Sequence, residues 1–277
     1  MFKTFVICVL SVCAVQAQLT IPALSPSSKT IQTIGITDIE LEYSRPSQRG
    51  RTLFGAEGLL PYGTFWRTGA NAATKITVSD DITIQGSPLK KGTYAILSKP
   101  NNTYWDIYLY TYDTGNWNTY TSRTPVLQLK ANVTNQQNTV ESFLMYLDQI
   151  ELDSADLVFA WGNVRASLSI KVEVHEKTMA NIKKVLSGPS DFDYFLAALY
   201  LHEANTDLEQ ALQYIQKVTK SEKALFFQVY REALILGDLG RKKEALVAAK
   251  RSLVLSEKAK NEDLIRLNRK LIQEWSK

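Results

Sequence analysis

The spacing of apolar residues changes once along this chain, at His175, and that change divides it into two kinds of structure. From Ile31 to about Val174 apolar and polar residues alternate, so that successive side chains fall on opposite faces of a strand. In 36–44, Ile39, Leu41 and Tyr43 fall on one side and Glu40 and Glu42 on the other. The same pattern returns at 74–79, 81–86, 92–98, 104–112, 126–133, 140–147, 156–162 and 165–174. Between these runs stand Ser-Asp-Asp, Gln-Gly-Ser-Pro, Lys-Pro-Asn-Asn and Asp-Thr-Gly-Asn, each a turn former. Short strands at this spacing, with no helical run between them, predict an antiparallel β-sandwich or barrel.

After His175 the spacing is three and four to the end of the chain. Met179, Ile182, Val185 and Leu186 form one stripe, and Gly188 and Pro189 stop that helix. The segment around Ala211 aligns with that around Ala245, an offset of 34 residues (245 minus 211), and each is preceded by a helix. This resembles a tetratricopeptide array, whose repeat has that length. Small residues at Ala211, Ala233, Ala245 and Ser252 let paired helices approach, and Gly240 takes the turn. Leu199 stands where a small residue is usual and His202 where an aromatic is usual, and the terminal proline is missing from both units. A last helix with Leu264, Leu267, Leu271 and Trp275 on one stripe would cap the array. The implied fold class is a β domain followed by an all-α array of helical hairpins that leans on it through the helix after His175.

The domain limits follow: 1–17 an export signal, 18–174 the β-rich domain, 175–277 the helical repeats with a capping helix. The signal reads as Lys3, an apolar run, and the small residues Val15 and Ala17, with cleavage before Gln18. Both cysteines, Cys8 and Cys13, lie inside it. The mature chain then has no thiol for a disulfide or a metal, and it would act in a periplasm or outside the cell. Val12, where a lipoprotein signal wants a small residue, argues against lipid anchoring at Cys13. No later run reaches the roughly 20 apolar residues of a spanning helix. A net charge of +4 with few aromatics among the basic helices argues against a nucleic-acid partner.

One segment fits neither period. Residues 44–73 are too long for an idle connection and too apolar, with Leu53, Phe54, Leu59, Leu60, Phe65 and Trp66, to be unstructured. They are expected to form an ordered cap over the sheet. Four arginines, Arg45, Arg49, Arg51 and Arg67, fall in it beside a single acid, Glu57. Guanidinium groups gathered in this way suit a carboxylate or phosphate, unless they pair with Glu40, Glu42 or neighbouring aspartates. The candidate ligand-binding residues are Arg45, Arg49, Arg51, Trp66, Arg67, Asn71 and Thr74. The tyrosine-rich run 104–120 offers either a flat platform for sugar rings or an ordinary covered sheet face.

The segments 43–55, 59–76 and 88–97 resemble a family of secreted bacterial proteins, domain of unknown function family 2911, found mostly in Bacteroidota. That resemblance covers about residues 20–174 and implies the domain extent and the export address. It implies no activity, ligand or site residue.

The chemistry the sequence can supply is narrow. The only histidines, His175 and His202, lie at the junction and in a repeat helix, which leaves no imidazole for a Ser-His or Cys-His pair in the β domain. Neither a zinc spacing nor a glycine-rich phosphate cradle is present, so no cofactor is implied. The leading expectation is a non-enzymatic envelope protein whose arginine-rich cap binds an anionic small molecule or saccharide, with the helices engaging a protein partner. The alternatives are a hydrolase or lyase acting on an anionic saccharide or peptide, its proton carried by an acid, and a structural scaffold.

Overall fold

In a computed structural model, residues 21–185, 188 and 190–276 are described. The export signal, its cleavage point before Gln18, Leu186 and Pro189 lie outside the described residues. Among the described residues nine strands precede six α-helices. The strands are β1 (Ser27–Ile34), β2 (Thr37–Ser44), β3 (Thr74–Val78), β4 (Ile82–Ile84), β5 (Ser87–Leu89), β6 (Gly92–Pro100), β7 (Tyr104–Thr111), β8 (Leu127–Asp148) and β9 (Ser154–Val172). All pairings are antiparallel, and the strands form one sheet in the order β1-β2-β3-β6-β7-β8-β9-β4-β5.

The antiparallel β domain is as expected, and its finer form is an open sheet with edges at β1 and β5. The connectivity forces that sheet to fold over. Only residues 79–81 join β3 to β4, which lies five places further along the sheet. A flat sheet would need roughly 24 Å for five strand spacings, whereas the four steps from Val78 to Ile82 span at most about 14 Å. Residues 90–91 make an equally short link from β5 back to β6. Inward side chains from both arms therefore meet in one core, among them Leu41, Ile76, Ile84, Trp105, Phe143 and Phe159. The Tyr43 hydroxyl closes the fold from β2, donating to the Met145 carbonyl of β8 at 3.0 Å and accepting from its N–H at 2.8 Å.

Local chemistry sets the details. In β2, Ile39, Leu41 and Tyr43 are buried, while Glu40 and Glu42 face outward and pair with Lys29 and Lys75. Gln85 and Gly86 both take positive φ, 49° and 76°, which makes the tight turn between β4 and β5. Pro88 is tolerated in β5 because that strand is an edge. The runs 126–133 and 140–147, read as separate strands, belong to one strand, β8, and 156–162 and 165–174 fall largely in β9. The ladder between these two strands shifts register between Asn135 and Val140, opposite Gly162 at φ 58°. A Cβ on Gly162 would stand 2.7 Å from the Leu53 side chain.

The helices are α1 (His175–Val185), α2 (Asp191–Glu203), α3 (Leu208–Thr219), α4 (Phe226–Asp238), α5 (Lys242–Lys258) and α6 (Glu262–Trp275). Ser190 and Asp193 cap α2 reciprocally, and Asp207 and Asn261 accept the first free amides of α3 and α6. The helices pack as consecutive pairs, with Ala211, Ala233, Ala245 and Ser252 completely buried where backbones approach. His202 accepts from Arg231 at Nδ1 and faces Asp238 through Nε2, both at 2.7 Å, so it cross-links α2 to α4. Because a guanidinium can only donate, the ring proton lies on Nε2. The helical region meets the sheet through the Lys177–Asp80 ion pair and through Tyr200, which packs on the sheet core and stacks on His175.

Candidate functional site

The cap at 45–73 is ordered by three anchorages. Pro46 and Gln48 extend β2 alongside β8, with the Gln48 N–H on the Glu141 carbonyl at 2.8 Å and the Phe143 N–H on that of Pro46 at 2.9 Å. Residues 52–60 close on themselves around Gly55 and Gly58, where the Leu60 N–H reaches the Leu53 carbonyl at 2.8 Å. Trp66 then exchanges both backbone hydrogen bonds with Ser98 of β6. Three non-glycine residues of this cap hold positive φ, Arg49 at 52°, Thr68 at 53° and Asn71 at 60°. Such conformations persist only where surrounding bonds impose them, and they gather at functional sites. Gly69, at φ 156°, lies where a Cβ would come within 2.9 Å of the Ser44 carbonyl and the Thr74 hydroxyl.

Beneath the cap lies a hollow of about 510 Å³. Its floor is aromatic: the Trp66 and Trp161 rings stack at 5.6 Å and 19°, and Phe143 packs edge-on against Trp66 at 4.8 Å. The indole N–H groups are fixed on backbone carbonyls, Trp66 on Gly69 at 2.9 Å and Trp161 on Glu141 at 3.1 Å. Leu59 and Leu60 form one wall and Leu24–Ser25 another. The N-terminal wall is tied down by Arg49 Nη2 on the Leu24 carbonyl at 3.1 Å and Asn71 Nδ2 on that of Ser25 at 3.1 Å.

Of the residues singled out from the sequence, Arg49, Arg51, Trp66, Arg67 and Asn71 line this hollow. Arg45 does not. Its Nε and Nη2 reach the Phe143 and Ser142 carbonyls, at 3.0 and 3.5 Å, and bind the cap to β8. Thr74 is also elsewhere, completely buried, with its hydroxyl donating to the Thr68 carbonyl at 2.7 Å. Among the described residues no carboxylate forms an ion pair with the guanidinium groups of Arg49, Arg51 or Arg67; the Glu141 carboxylate accepts the Arg49 backbone N–H at 2.8 Å, and Glu40 and Glu42 hold lysines. Arg49 and Arg51 are exposed and Arg67 half-buried, and their three guanidinium groups make the mouth of the hollow electropositive.

Trp161 has no signal in the sequence reading, and Trp117 enters it only within the aromatic run 104–120. Trp161 comes from β9, far along the chain, and the alternation of its strand marks it only as a core residue. Trp117 lies outside the hollow lining, 4.9 Å below the Arg67 guanidinium. It sits in a loop knit around Tyr120, whose hydroxyl accepts from the Asp113 and Thr114 N–H groups and donates to the Thr114 carbonyl. This loop and Phe65 cover the outer face of β6 and β7, so Tyr108 and Tyr110 are buried. Burial pushes both phenols above their ordinary value. Those two tyrosines are therefore a covered sheet face rather than a platform for sugar rings.

A second hollow, about 370 Å³, opens where sheet and helices meet, lined by Glu151, Asp153, His175, Tyr200 and Glu203 among others. The His175 Nδ1 and the Tyr200 hydroxyl are 3.2 Å apart there.

An open antiparallel sheet with a capped, arginine-walled hollow, followed by packed helix pairs, defines a two-part protein. The family described as "Protein of unknown function (DUF2911)" matches residues 25–170, more than half of the chain, and the chain belongs to that family. No curated protein and no solved structure matches it.

Proposed function

We propose that the β domain is a receptor for an organic anion held under the cap, and that the helical region presents it to a protein partner. One observation carries this reading: Arg49, Arg51 and Arg67 wall a common aromatic-floored hollow, and no carboxylate forms an ion pair with their guanidinium groups among the described residues. Three cations converging on one aromatic-floored recess attract an anion, and a guanidinium meets a carboxylate or phosphate with charge-assisted hydrogen bonds. The strain at Arg49 and Asn71 and the fixed indoles support a site set in advance of binding, which reduces the entropy lost on association.

The 34-residue offset and the buried small residues support a tetratricopeptide-type array, and the leader supports export to a periplasm or the exterior. Thermal-shift screening of the chain from Gln18 against acidic sugars, phosphates and acidic peptides tests the receptor reading, with Arg67→Ala in parallel. Selective stabilisation by an anion, lost in the variant, is expected. Turnover of any of these compounds would replace the receptor with an enzyme, and indifference to every anion would leave the β domain a scaffold.

A further inference from the structure

The cap's four arginines differ in which of their N–H groups remain open. A guanidinium grips two oxygens side-on through Nε and Nη2, which lie on the same edge. Arg45 gives that edge to the Phe143 and Ser142 carbonyls. Arg51 gives it to its own turn, Nε to the Gln48 carbonyl at 2.9 Å and Nη2 to that of Ser47 at 2.6 Å. Arg49 has Nη2 on the Leu24 carbonyl. Arg67 alone is engaged from the other side, through Nη1 to the Asn71 carbonyl at 2.8 Å, and its Nε and Nη2 keep the side-on edge open among the described residues.

The plane of that open edge is also fixed. Trp117 lies under the Arg67 guanidinium, so one face is occupied and the in-plane N–H groups are what remains to be offered. The loop carrying Trp117 is tied to the cap by the Ala73 N–H on the Gly115 carbonyl at 2.9 Å and is held in shape by Arg123 on Asp113 at 2.7 Å. One hydrogen bond and one ring contact thus hold Arg67 in place.

We infer that the hollow takes an organic carboxylate, gripped side-on by Nε and Nη2 of Arg67 with its carbon body over Trp66 and Trp161, and that Trp117 is the positioning residue for that grip. The inference rests on the anion-receptor reading above. A single open fork matches a single planar, two-oxygen anion. The apolar surface from Leu59, Leu60 and the indoles suits a carbon body and gives a doubly charged phosphate little to replace its hydration. Arg49 and Arg51 add attraction at longer range, where the shape of the cation matters less.

The test uses phenylacetate, phenylacetamide and phenyl phosphate as probes of the full mature chain, followed by titration calorimetry and by the indole N–H resonances of Trp66, Trp117 and Trp161. Phenylacetate is expected to bind and to move the Trp66 and Trp161 resonances, and the amide to bind at least about tenfold more weakly because it carries no charge. Arg67→Lys keeps the charge but not the fork and is expected to lose about tenfold or more. Trp117→Ala should weaken phenylacetate several-fold and Trp117→Phe should restore most of it, a rescue that a merely structural role would not give. The unchanged resonances of the other tryptophans report that each variant is folded. Tighter binding of phenyl phosphate than of phenylacetate overturns the carboxylate assignment. Wild-type affinity in Arg67→Lys, or in Trp117→Ala, overturns the grip while leaving an anion receptor standing. If neither anion binds the wild-type chain at millimolar concentration, the receptor reading itself falls.

Discussion

The Tyr43 hydroxyl satisfies both backbone polar groups of Met145, a residue 102 positions further along the chain. Met145 lies in β8, paired on its other side with Phe159 of β9, so the phenol stands where a further strand would otherwise bond. It is thus a side-chain substitute for ladder hydrogen bonds at the point where the sheet closes over its own core. Tyr43→Phe keeps the ring and its edge-on contact with Phe143 at 5.8 Å, but leaves a buried N–H and a buried carbonyl without partners. A loss of about 2 kcal/mol in unfolding free energy is expected. Urea unfolding followed by far-ultraviolet dichroism measures it, and a variant within experimental error of the wild type would show that water enters to replace the phenol.

Gly237 lies inside α4, where alanine ordinarily stabilises a helix by roughly 0.5–1 kcal/mol. Here the sign should reverse. A Cβ at Gly237 would sit 2.6 Å from the Trp275 ring of α6, and a rigid indole packed on the helical core cannot withdraw without losing its own contacts. Overpacking of this kind costs about 1–3 kcal/mol, so Gly237→Ala should lower the melting temperature and the pair Gly237→Ala with Trp275→Leu should recover part of it. A more stable single variant would mean that α6 moves freely against α4.

The arginines of the cap allow stability and binding to be separated. Arg45 bonds two carbonyls of β8, and truncating it to alanine should cost about 1.5–3 kcal/mol of stability, the range for bonds to a charged donor. Arg67 has one backbone partner and one stacked ring, both near the surface, so Arg67→Ala should stay within about 1 kcal/mol of the wild type while abolishing selective stabilisation by anions. Parallel calorimetric scans with and without an anionic probe distinguish these. Equal destabilisation by both substitutions would make the cap a structural feature with no site beneath it.

Strand and helix identity were legible because period is a local property. Residues 74–79, 92–98 and 104–112 match β3, β6 and β7 to within two residues, and the helical segments after His175 are all present. Continuity was not legible: the register shift between Asn135 and Val140 breaks the alternation of β8, so one long strand reads as two. Strand order was beyond reach as well, since nothing in the linker 79–81 says that β4 pairs with β9 rather than with β3. At the site, the arginine-rich cap stood out by fitting neither period. What could not be read was which N–H groups of Arg45 and Arg51 the backbone claims, or that Trp117 and Trp161 arrive from distant elements. Those depend on tertiary placement, which side-chain spacing does not encode.

The loop that supports Arg67 should respond to acid in a defined direction. Arg123 Nη1, 2.7 Å from Asp113 Oδ2, holds the Asp113 carboxyl below its ordinary value of 3.8, with the Tyr120 hydroxyl adding to the effect. A carboxyl depressed in the folded chain binds fewer protons there than in the unfolded chain. Its stabilising contribution is therefore complete above the ordinary value and disappears as the pH falls through the depressed one. The Trp117 indole resonance should hold steady from neutral pH until below 3.8 and only then shift, as the Asp113–Arg123 pair opens and the loop relaxes. In Arg123→Ala the main depressing partner is gone, so the transition should begin at higher pH, closer to 3.8. A transition at the same pH in both proteins would mean that Asp113 does not govern the loop, and that Trp117 is held beneath Arg67 by the Tyr120 hydroxyl and the Gly115 carbonyl alone.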